Sequence, residues 1–197
     1  EAPIGFRGTK NFLLKLAAFL GIEDKAIEYV DEVEAELTKS LSKDALDGKN
    51  IFVDASFSKI PALTRFFKYL GGTVVGIGSP FIDLENKKQL SKLDFLSKGT
   101  TVVIGNGQYF EKANALTKTE TDIYISEFEG SSFAADEGVA VVATKNIATF
   151  GFKGVQVLHD TILKALRFSE VAALGESRYK ATWKKKSGNW YVKQEVS

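Results

Sequence analysis

The sequence contains no cysteine in its 197 residues. This absence excludes disulfides, thiolate metal sites and cysteine-ligated iron–sulfur clusters within the polypeptide, because each of them requires a cysteine sulfur. The single histidine, His159, cannot form a catalytic pair with a cysteine that is missing. A lone histidine on a helix is more often a packing or surface residue than a ligand, and we predict that role here.

Methionine, an excess of charge and long apolar runs are absent as well. Without a methionine even at position 1, we expect a fragment, a processed chain, or modified methionines that the sequence does not show. The net charge of +1 gives no electrostatic reason to expect nucleic acid or an anionic membrane as a partner. The longest apolar runs are strand-sized, far below the roughly 20 residues of a membrane span. With no secretory signal pattern at the start, we predict a cytoplasmic protein.

What is present is a βαβ pattern between Asn50 and Gly78. The apolar run Ile51–Val53 is typical of a strand buried on both faces. Ser56 and Ser58 offer N-cap oxygens for a helix, and Pro61 suits the first turn of that helix. The helix has one apolar face and ends at a Gly-Gly turn, after which a second apolar run begins. Two buried strands joined by a helix are parallel, with a right-handed crossover.

The chain then continues to alternate strands with helices. Further strands are predicted at Thr101–Ile104, Asp122–Ser126 and Val139–Ala143, and helices at Glu85–Leu96, Gln108–Leu116, Ser131–Asp136 and Phe152–Phe168. This alternation predicts an α/β fold, a doubly wound, Rossmann-like parallel sheet of about five strands.

The two ends of the chain differ from the sheet region. Residues 1–8 are interpreted as an extended lead-in, with Thr9 as the N-cap of a helix over Lys10–Leu20. Acidic residues from Glu23 onwards open a second, longer helix. The basic stretch Arg178–Val196 has strand-like aromatics around a Ser-Gly-Asn turn signal, which predicts a β-hairpin tail. We therefore divide the chain into an N-terminal helical segment (1–47), a Rossmann-like domain (48–168) and a C-terminal tail with the hairpin (169–197).

Two glycine pairs, Gly76-Ile77-Gly78 and Gly105-Asn106-Gly107, invite a nucleotide-binding interpretation. The dinucleotide fingerprint requires G-x-G-x-x-G directly after the first strand, where residues 54–57 contain no glycine, and the sequence has no Walker A motif. We therefore interpret these residues as plain turn glycines. Asp54, at the end of the first strand, is a better candidate for a functional carboxylate facing the crevice, although helix capping is an equal alternative.

Phenylalanines are concentrated near the carboxyl ends of the predicted strands, where ligands bind in doubly wound sheets. They would line a pocket for a flat apolar ligand, or else be core or interface residues, and the residues leave both interpretations open. These phenylalanines are Phe57, Phe81, Phe128, Phe133, Phe150 and Phe152. Glu127 and Glu129 would cap the helix that follows them or be solvated.

Several short motifs follow one another in order along residues 2–168. They are Ala2-Pro3-Ile4-Gly5 with Gly8-Thr9, then Gly48-Lys49, Leu63-Thr64-Arg65-Phe66, Ile77–Asp83, Asp122–Ser126 and Gly151-Phe152-Lys153-Gly154. In this order and spacing the chain resembles the C-terminal half of a nitrogenase component 1-type subunit. It looks most similar to the subunits of dark-operative protochlorophyllide reductase and of chlorophyllide reductase.

The resemblance implies redox chemistry on a tetrapyrrole or a metal-cluster substrate. It implies a heterotetramer with a paralogous subunit, and electrons supplied by an ATP-dependent iron–sulfur reductase. The intersubunit iron–sulfur cluster of such complexes would be ligated outside this chain, so no cofactor or metal site is expected within it. The resemblance implies that the nitrogenase active-site cluster is held by a cysteine and a histidine. This chain has no cysteine, and its one histidine is predicted to lie on a helix, so that cofactor is disfavoured here.

We therefore expect the C-terminal portion of a subunit that reduces a double bond of protochlorophyllide or chlorophyllide in bacteriochlorophyll biosynthesis, inactive by itself. The resemblance assigns the substrate wall to Phe81, Asp83, Ser131, Phe133, Thr149 and Phe150, and it leaves the catalytic residues unknown. Two alternatives stay open: a scaffold for assembling a nitrogenase-type metallocofactor, and a periplasmic-type domain that binds a small molecule or metal chelate.

Overall fold

The structure, a computed structural model, describes residues 2–83, 99–105, 109–128, 132–145 and 147–186, with the backbone alone at 136 and 170–186. Within these residues one sheet is formed by β1 (Asn50–Asp54), β2 (Thr73–Ser79), β3 (Thr101–Ile104), β4 (Ile123–Ser126) and β5 (Ala140–Ala143). The strand order is β3-β2-β1-β4-β5, and every neighbouring pair is parallel. The predicted α/β fold with a doubly wound parallel sheet is confirmed.

Helices lie between the strands and at both ends of the chain. Those that the structure describes are α1 (Gly5–Leu20), α2 (Glu23–Ser40), α3 (Ile60–Tyr69), α4 (Tyr109–Lys118), α5 (Ser132–Asp136) and α6 (Gly151–Lys186). The helices predicted near α3, α4 and α5 are therefore present. The helix predicted over Glu85–Leu96 falls on residues outside the described ranges.

The predicted βαβ unit consists of β1, α3 and β2. Pro61 lies in the first turn of α3, where its missing N–H breaks no hydrogen bond. Gly71 follows the helix with φ 87°, a conformation that glycine adopts at little cost. The expectation that Ser56 or Ser58 caps α3 is wrong, because Lys59 occupies the N-cap position and no side chain caps the helix.

The sheet is covered on both faces. The larger core lies between one face and helices α3 and α6, and it includes Ile51, Val53, Phe67 and Leu158. Residues of the N-terminal segment, Ile4, Leu41 and Leu46, belong to the same core. A smaller core on the other face lies under α4 and α5 and contains Phe52, Leu116, Tyr124 and Ala134. The division of the chain at residue 47 stays a prediction.

The N-terminal helix begins earlier than predicted. Helix α1 starts at Gly5, so residues 5–8 are helical and not an extended lead-in. Thr9 lies inside the helix, where its hydroxyl donates to the Gly5 carbonyl at 2.8 Å, and Ile4 is the N-cap residue. Gly21 ends α1 in the left-handed conformation, with φ 67°, as its type predicts.

The last helix is much longer than predicted, with 36 residues from Gly151 to Lys186. The predicted hairpin is therefore wrong between Arg178 and Lys186, where the backbone is helical, and its remainder lies outside the described residues. Alanine, glutamate, lysine and arginine dominate residues 170–186 and favour helix, which outweighs the few aromatics that suggested a strand. None of the helices described has the length and apolar character needed to cross a bilayer.

Candidate functional site

The strand order places a topological switch point between β1 and β4. Successive strands β1, β2 and β3 extend the sheet to one side, whereas β4 and β5 lie on the other. The connections after β1 and β4 therefore diverge, and in such sheets a crevice opens at the carboxyl ends of the two strands. Asp54 and Ser126, the last residues of β1 and β4, are paired neighbours. The residues directly after them form the candidate site.

Asp54 itself does not face this crevice. Its side chain points to the sheet face covered by α4, where the Lys112 ammonium lies 2.6 Å from Oδ2 and the Tyr124 phenol donates to the same oxygen. The side chains of Asp54 and Lys112 are only 1% and 4% exposed. The prediction of a carboxylate facing the crevice is therefore wrong, because the alternation of side chains along β1 directs Asp54 to the α4 side.

Tyr124 links the buried pair of Asp54 and Lys112 to a row of aromatic rings that ends at the exposed Tyr109. Burial raises the pKa of the Tyr124 phenol above its ordinary value, and the charge of Asp54 and its hydrogen bond raise it further. The Tyr124 ring lies 5.4 Å from the ring of Phe133, which lies 5.7 Å from the ring of Tyr109. These centroid distances are typical of stacked or tilted aromatic pairs. The three rings form a continuous aromatic row toward the crevice.

Glu127, directly after β4, joins the two sides of the switch point. Its Oε2 accepts hydrogen bonds from the backbone N–H and the hydroxyl of Ser56, both at 2.8 Å. Its Oε1 forms an ion pair with the Lys59 ammonium. Partial burial by itself would raise the pKa of Glu127, but the hydrogen bonds from Lys59 and Ser56 outweigh it, and the pKa lies below its ordinary value.

The contacts of Glu127 explain why no dinucleotide-binding motif follows β1. The backbone N–H of Ser56 follows β1, where dinucleotide-binding folds hold a pyrophosphate, and here the carboxylate of Glu127 occupies that donor. Gly76 and Gly78 serve packing, since a Cβ on Gly76 would lie 2.2 Å from the Phe52 ring and one on Gly78 would lie 2.5 Å from Asp54 Oδ1. Both glycines lie within β2 and not in a turn.

A cleft of about 510 Å³ opens beside Glu127, within the size range of small-molecule sites. It combines ammonium groups, hydroxyls and aromatic rings of residues that follow β1, β4 and β5, precede α6 or begin α4. The lining residues are Lys59, Tyr109, Glu127, Phe128, Thr144, Lys145, Ile147, Thr149 and Phe150. The Lys59 ammonium also lies 5.7 Å from the centroid of the Phe150 ring, so charged and aromatic groups share one wall.

The structure brings together only some of the residues that the resemblance assigns to a substrate wall. Thr149 and Phe150 line the cleft. Phe133 lies behind the lining, in the aromatic row described above. Phe81 is 70% exposed, and neither it nor Asp83 is among the lining residues. Ser131 lies outside the described residues, and so does Glu129.

Sequence reasoning missed the cationic and hydroxyl groups of the cleft, Lys59, Thr144 and Lys145. The position of Thr144 and Lys145 directly after β5, and of Lys59 in the loop after β1, was a usable signal, because ligands bind beyond the carboxyl ends of parallel strands. Two of the candidate phenylalanines, Phe57 and Phe152, are core residues that are less than one tenth exposed.

His159 has the packing role that its isolation predicts. It is 3% exposed on α6, its Nδ1 lies 3.1 Å from Asp160 Oδ1, and its Nε2 accepts the Ser42 backbone N–H at 3.4 Å. It thereby ties α6 to the residues after α2. Burial alone would raise the pKa of Asp160, but hydrogen bonds from His159 and Gln156 hold it below its ordinary value.

The fold places the chain in the class of doubly wound α/β domains, a class in which ligands bind at the switch point. The family described as "Nitrogenase component 1 type Oxidoreductase" matches residues 1–167. The chain therefore belongs to the nitrogenase component 1-type oxidoreductase family. The predicted family is confirmed, whereas the greater closeness to protochlorophyllide and chlorophyllide reductases stays a prediction.

Individual relatives are similar over most of this chain. The chain is 29% identical over 143 residues to the nitrogenase iron-molybdenum cofactor biosynthesis protein NifE of Clostridium pasteurianum, an alignment that covers 69% of this chain and 30% of that protein. Structures of nitrogenase Cp1 at pH 6.5 and pH 5 superpose with TM-scores of 0.64 and 0.66, at 20% and 16% identity. These likenesses concern the fold. They cover 83% and 96% of this chain but 38% and 43% of those chains, so the chain spans less than half the length of its relatives.

Proposed function

We propose that this chain is part of a subunit that holds a metallocofactor, or a precursor of it, as cargo while that cofactor is assembled. The observation that carries the proposal is the sequence likeness to NifE, a protein named for iron-molybdenum cofactor biosynthesis. The resemblance drawn from the sequence placed tetrapyrrole reduction first and a cofactor-assembly scaffold second; the likeness to NifE favours the scaffold. Family membership also removes the reason to retain a periplasmic-type binding domain.

The chemistry of the cleft fits cargo that is held without a covalent bond. The chain contains no cysteine, and its histidine is buried on α6, where it is paired with Asp160. The cleft instead provides the Lys59 ammonium, which is paired with Glu127, the Lys145 ammonium and the hydroxyls of Thr144 and Thr149. Such groups attract an anionic cofactor through charge and hydrogen bonds, and they let it leave again.

The test uses the complete subunit, purified without oxygen together with its paralogous partner. We expect bound iron in the purified complex and transfer of that iron to a cofactor-free acceptor protein. Lys59→Met should lower the iron bound per subunit, because it removes an ammonium group from the cleft wall. Lys68→Met, which changes an exposed lysine near the end of α3, the helix that begins after Lys59, is the matched control. A complex that binds no iron, or an equal iron content in both variants, would overturn the proposal.

Tetrapyrrole reduction is a second candidate, favoured by the rings of Tyr109, Phe128 and Phe150 in the cleft, because aromatic side chains pack well on a flat macrocycle. In this reaction two electrons from the iron–sulfur reductase and two protons add across one carbon–carbon double bond, which becomes a single bond. Adding protochlorophyllide, reductase, ATP and reductant to the complete complex should then shift the pigment absorbance. An unchanged spectrum from an assembly shown to accept electrons would end this candidate.

Both candidates share the expected partners. We propose a heterotetramer with a paralogous subunit, supplied with electrons by an ATP-dependent iron–sulfur reductase. A resident iron–sulfur cluster does not fit the residues of this chain, which offer no thiolate, so its ligands would lie outside these residues.

A further inference from the structure

Helix α1 buries small residues and exposes several large apolar ones. The residues that it buries are small: Gly5, Gly8, Thr9 and Ala17. Four of its large apolar residues, Phe12, Leu16, Phe19 and Leu20, are between 44% and 86% exposed. We call these four residues the α1 stripe. An amphipathic helix on the surface of a domain normally turns its large apolar residues toward the core; α1 half-buries Phe6, which packs on Phe152, but leaves the α1 stripe exposed.

The small residues explain why the stripe faces outward. A Cβ on Gly5 would lie 3.1 Å from the Cβ of Phe66 on α3, and one on Gly8 would lie 2.8 Å from the Ala2 carbonyl oxygen. Helix α1 therefore lies too close to α3 and to the preceding chain for larger side chains on that face. The close approach fixes the rotation of α1 about its axis, and this rotation directs the stripe away from the domain.

The stripe forms one surface. Positions 12, 16, 19 and 20 follow the helical repeat and lie on one side of α1. Ile22, which follows the helix, and Ile27 on α2 add further exposed apolar area at the same end of the helical pair. Single exposed apolar residues are normal, but a contiguous patch of large ones marks an interaction surface.

We propose that the α1 stripe is the docking surface for the remaining polypeptide of a full-length component 1-type subunit, contributed in the same chain. The relatives supply the argument for this occupant. This chain matches the family over nearly its whole length, yet it spans 30% of NifE and 38% to 43% of the nitrogenase chains. In these relatives more than half of the subunit lies outside the matched region, and an apolar surface that this region does not cover itself is suited to pack against it. The proposal does not depend on which ligand the cleft binds.

The stripe lies apart from the cleft, which makes its role separable from ligand binding. Helix α1 starts beside the cleft, where Ile4 bridges Phe150, but Phe19 is near its far end. At a rise of about 1.5 Å per residue, that end is roughly 20 Å from the first turn. A variant at Phe19 therefore changes the docking surface and leaves the residues of the cleft in place.

The test places the photo-cross-linker p-benzoylphenylalanine at position 19 of the complete subunit in its native complex. After irradiation, mass spectrometry should find position 19 joined to a peptide of the same subunit outside these 197 residues. The same probe at Glu36, an exposed position on α2, should lack that product. Mixing ¹⁴N- and ¹⁵N-labelled subunits distinguishes a bond within one chain from a bond between two copies. A bond to a second copy, a bond to a different subunit, or no product overturns the proposal.

A stability measurement gives an independent outcome. Phe19→Gln in the complete subunit should lower its Tm, because a polar amide replaces a ring that the rest of the chain covers. Glu36→Gln should leave the Tm unchanged. Equal Tm values for both variants would show that the stripe is solvated in the complete subunit, and would also overturn the proposal.

Discussion

At the scale of single residues, the most consequential feature is the ion pair between Asp54 and Lys112. Both side chains are buried under α4, and Tyr124 adds a hydrogen bond to the same carboxylate oxygen. Bringing two charges out of water costs several kcal/mol, which their attraction and hydrogen bonds only approximately offset. The cost of breaking such a pair is larger than its net contribution, since one charge is then left buried without a partner.

Replacing Lys112 with methionine should therefore destabilise the fold severely. We expect Lys112→Met to lower the free energy of unfolding by about 3–5 kcal/mol, because it leaves the Asp54 carboxylate buried and unpaired. Urea denaturation measures this loss, and Lys118→Met, at the exposed end of the same helix, is the control. Adding Asp54→Asn to Lys112→Met should restore part of the loss. A Lys112 variant as stable as the control would contradict this account.

The raised pKa of Tyr124 predicts how stability depends on alkaline pH. Below about pH 10, the ordinary value for tyrosine, the phenol is protonated in both the folded and the unfolded state, so it adds no pH dependence. Above that pH the unfolded chain loses the proton and the folded protein keeps it. Stability should therefore fall by up to about 1.4 kcal/mol per pH unit from this group.

The measurement is urea unfolding between pH 9 and pH 11. Tyr124→Phe should be less stable than the wild type at pH 9, because the donor to Asp54 is lost, and its stability should fall less steeply above pH 10. Tyr29→Phe, which removes an exposed phenol, controls for ordinary tyrosine titration. Parallel curves for the wild type and Tyr124→Phe would show that the buried phenol titrates normally.

At the scale of elements, the start of α6 shapes one wall of the cleft. Gly154 lies in its first turn, and a Cβ there would be 2.4 Å from the carbonyl carbon of Thr149, a cleft residue. The Gly151 N–H also donates to the Pro3 carbonyl at 2.9 Å, which ties the helix start to the N-terminal segment. Within the motif Gly151-Phe152-Lys153-Gly154, close backbone approach thus explains Gly154, and a positive φ of 72° explains Gly151.

Gly154→Ala should accordingly destabilise the protein although alanine is the better helix former. Alanine gains up to about 1 kcal/mol in helix propensity, but overpacking against backbone atoms costs about 1–3 kcal/mol. We expect a net loss of stability in urea unfolding and weaker ligand binding in the cleft, because residues 147–150 must move. Lys153→Ala, exposed on the same turn, should change neither. A Gly154→Ala variant more stable than the wild type would show that the cleft wall yields freely.

At the scale of the whole molecule, the N-terminal helical pair is built into the sheet domain. Leu46 is fully buried, and with Ile4 and Leu41 it belongs to the same core as the central strands. Helix α1 contacts both α3 and α6 as well as α2. Residues 1–47 therefore complete the cover of one sheet face, whatever boundary is drawn at residue 47.

Deletion of residues 1–47 should consequently abolish cooperative unfolding. The deletion exposes the apolar face that these residues cover, at roughly 25 cal/mol for each Å² returned to water. Circular dichroism during urea titration should show a broad, shallow transition in place of a single steep one. The full chain with Leu46→Ala should keep a cooperative transition but lose about 2–5 kcal/mol. An unchanged midpoint after the deletion would show that the Rossmann-like domain folds by itself.

The local sequence was sufficient to predict the helices, the strands and their arrangement. The buried run Ile51–Val53, the proline and the glycines around α3 and the regular alternation determined a parallel, doubly wound sheet, because a buried strand and a helix crossover leave few topologies. Short motifs in fixed order also determined the family. Within the described residues, the errors at the level of elements concern the start of α1, the N-cap of α3 and the continuation of α6 beyond Phe168, where helix propensity outweighs the strand-like aromatics.

Only the tertiary structure determined which side chains contact one another. Asp54 and Lys112 are 58 residues apart in sequence, and Ser56 and Glu127 are 71 apart, so no local pattern predicts that they pair. The outward rotation of α1 is likewise set by the backbone of its neighbours. Periodicity predicts that a face of a helix is apolar. The packing of distant segments decides whether its own domain buries that face or leaves it for another partner, and it decides in the same way where a carboxylate at the end of a strand lies.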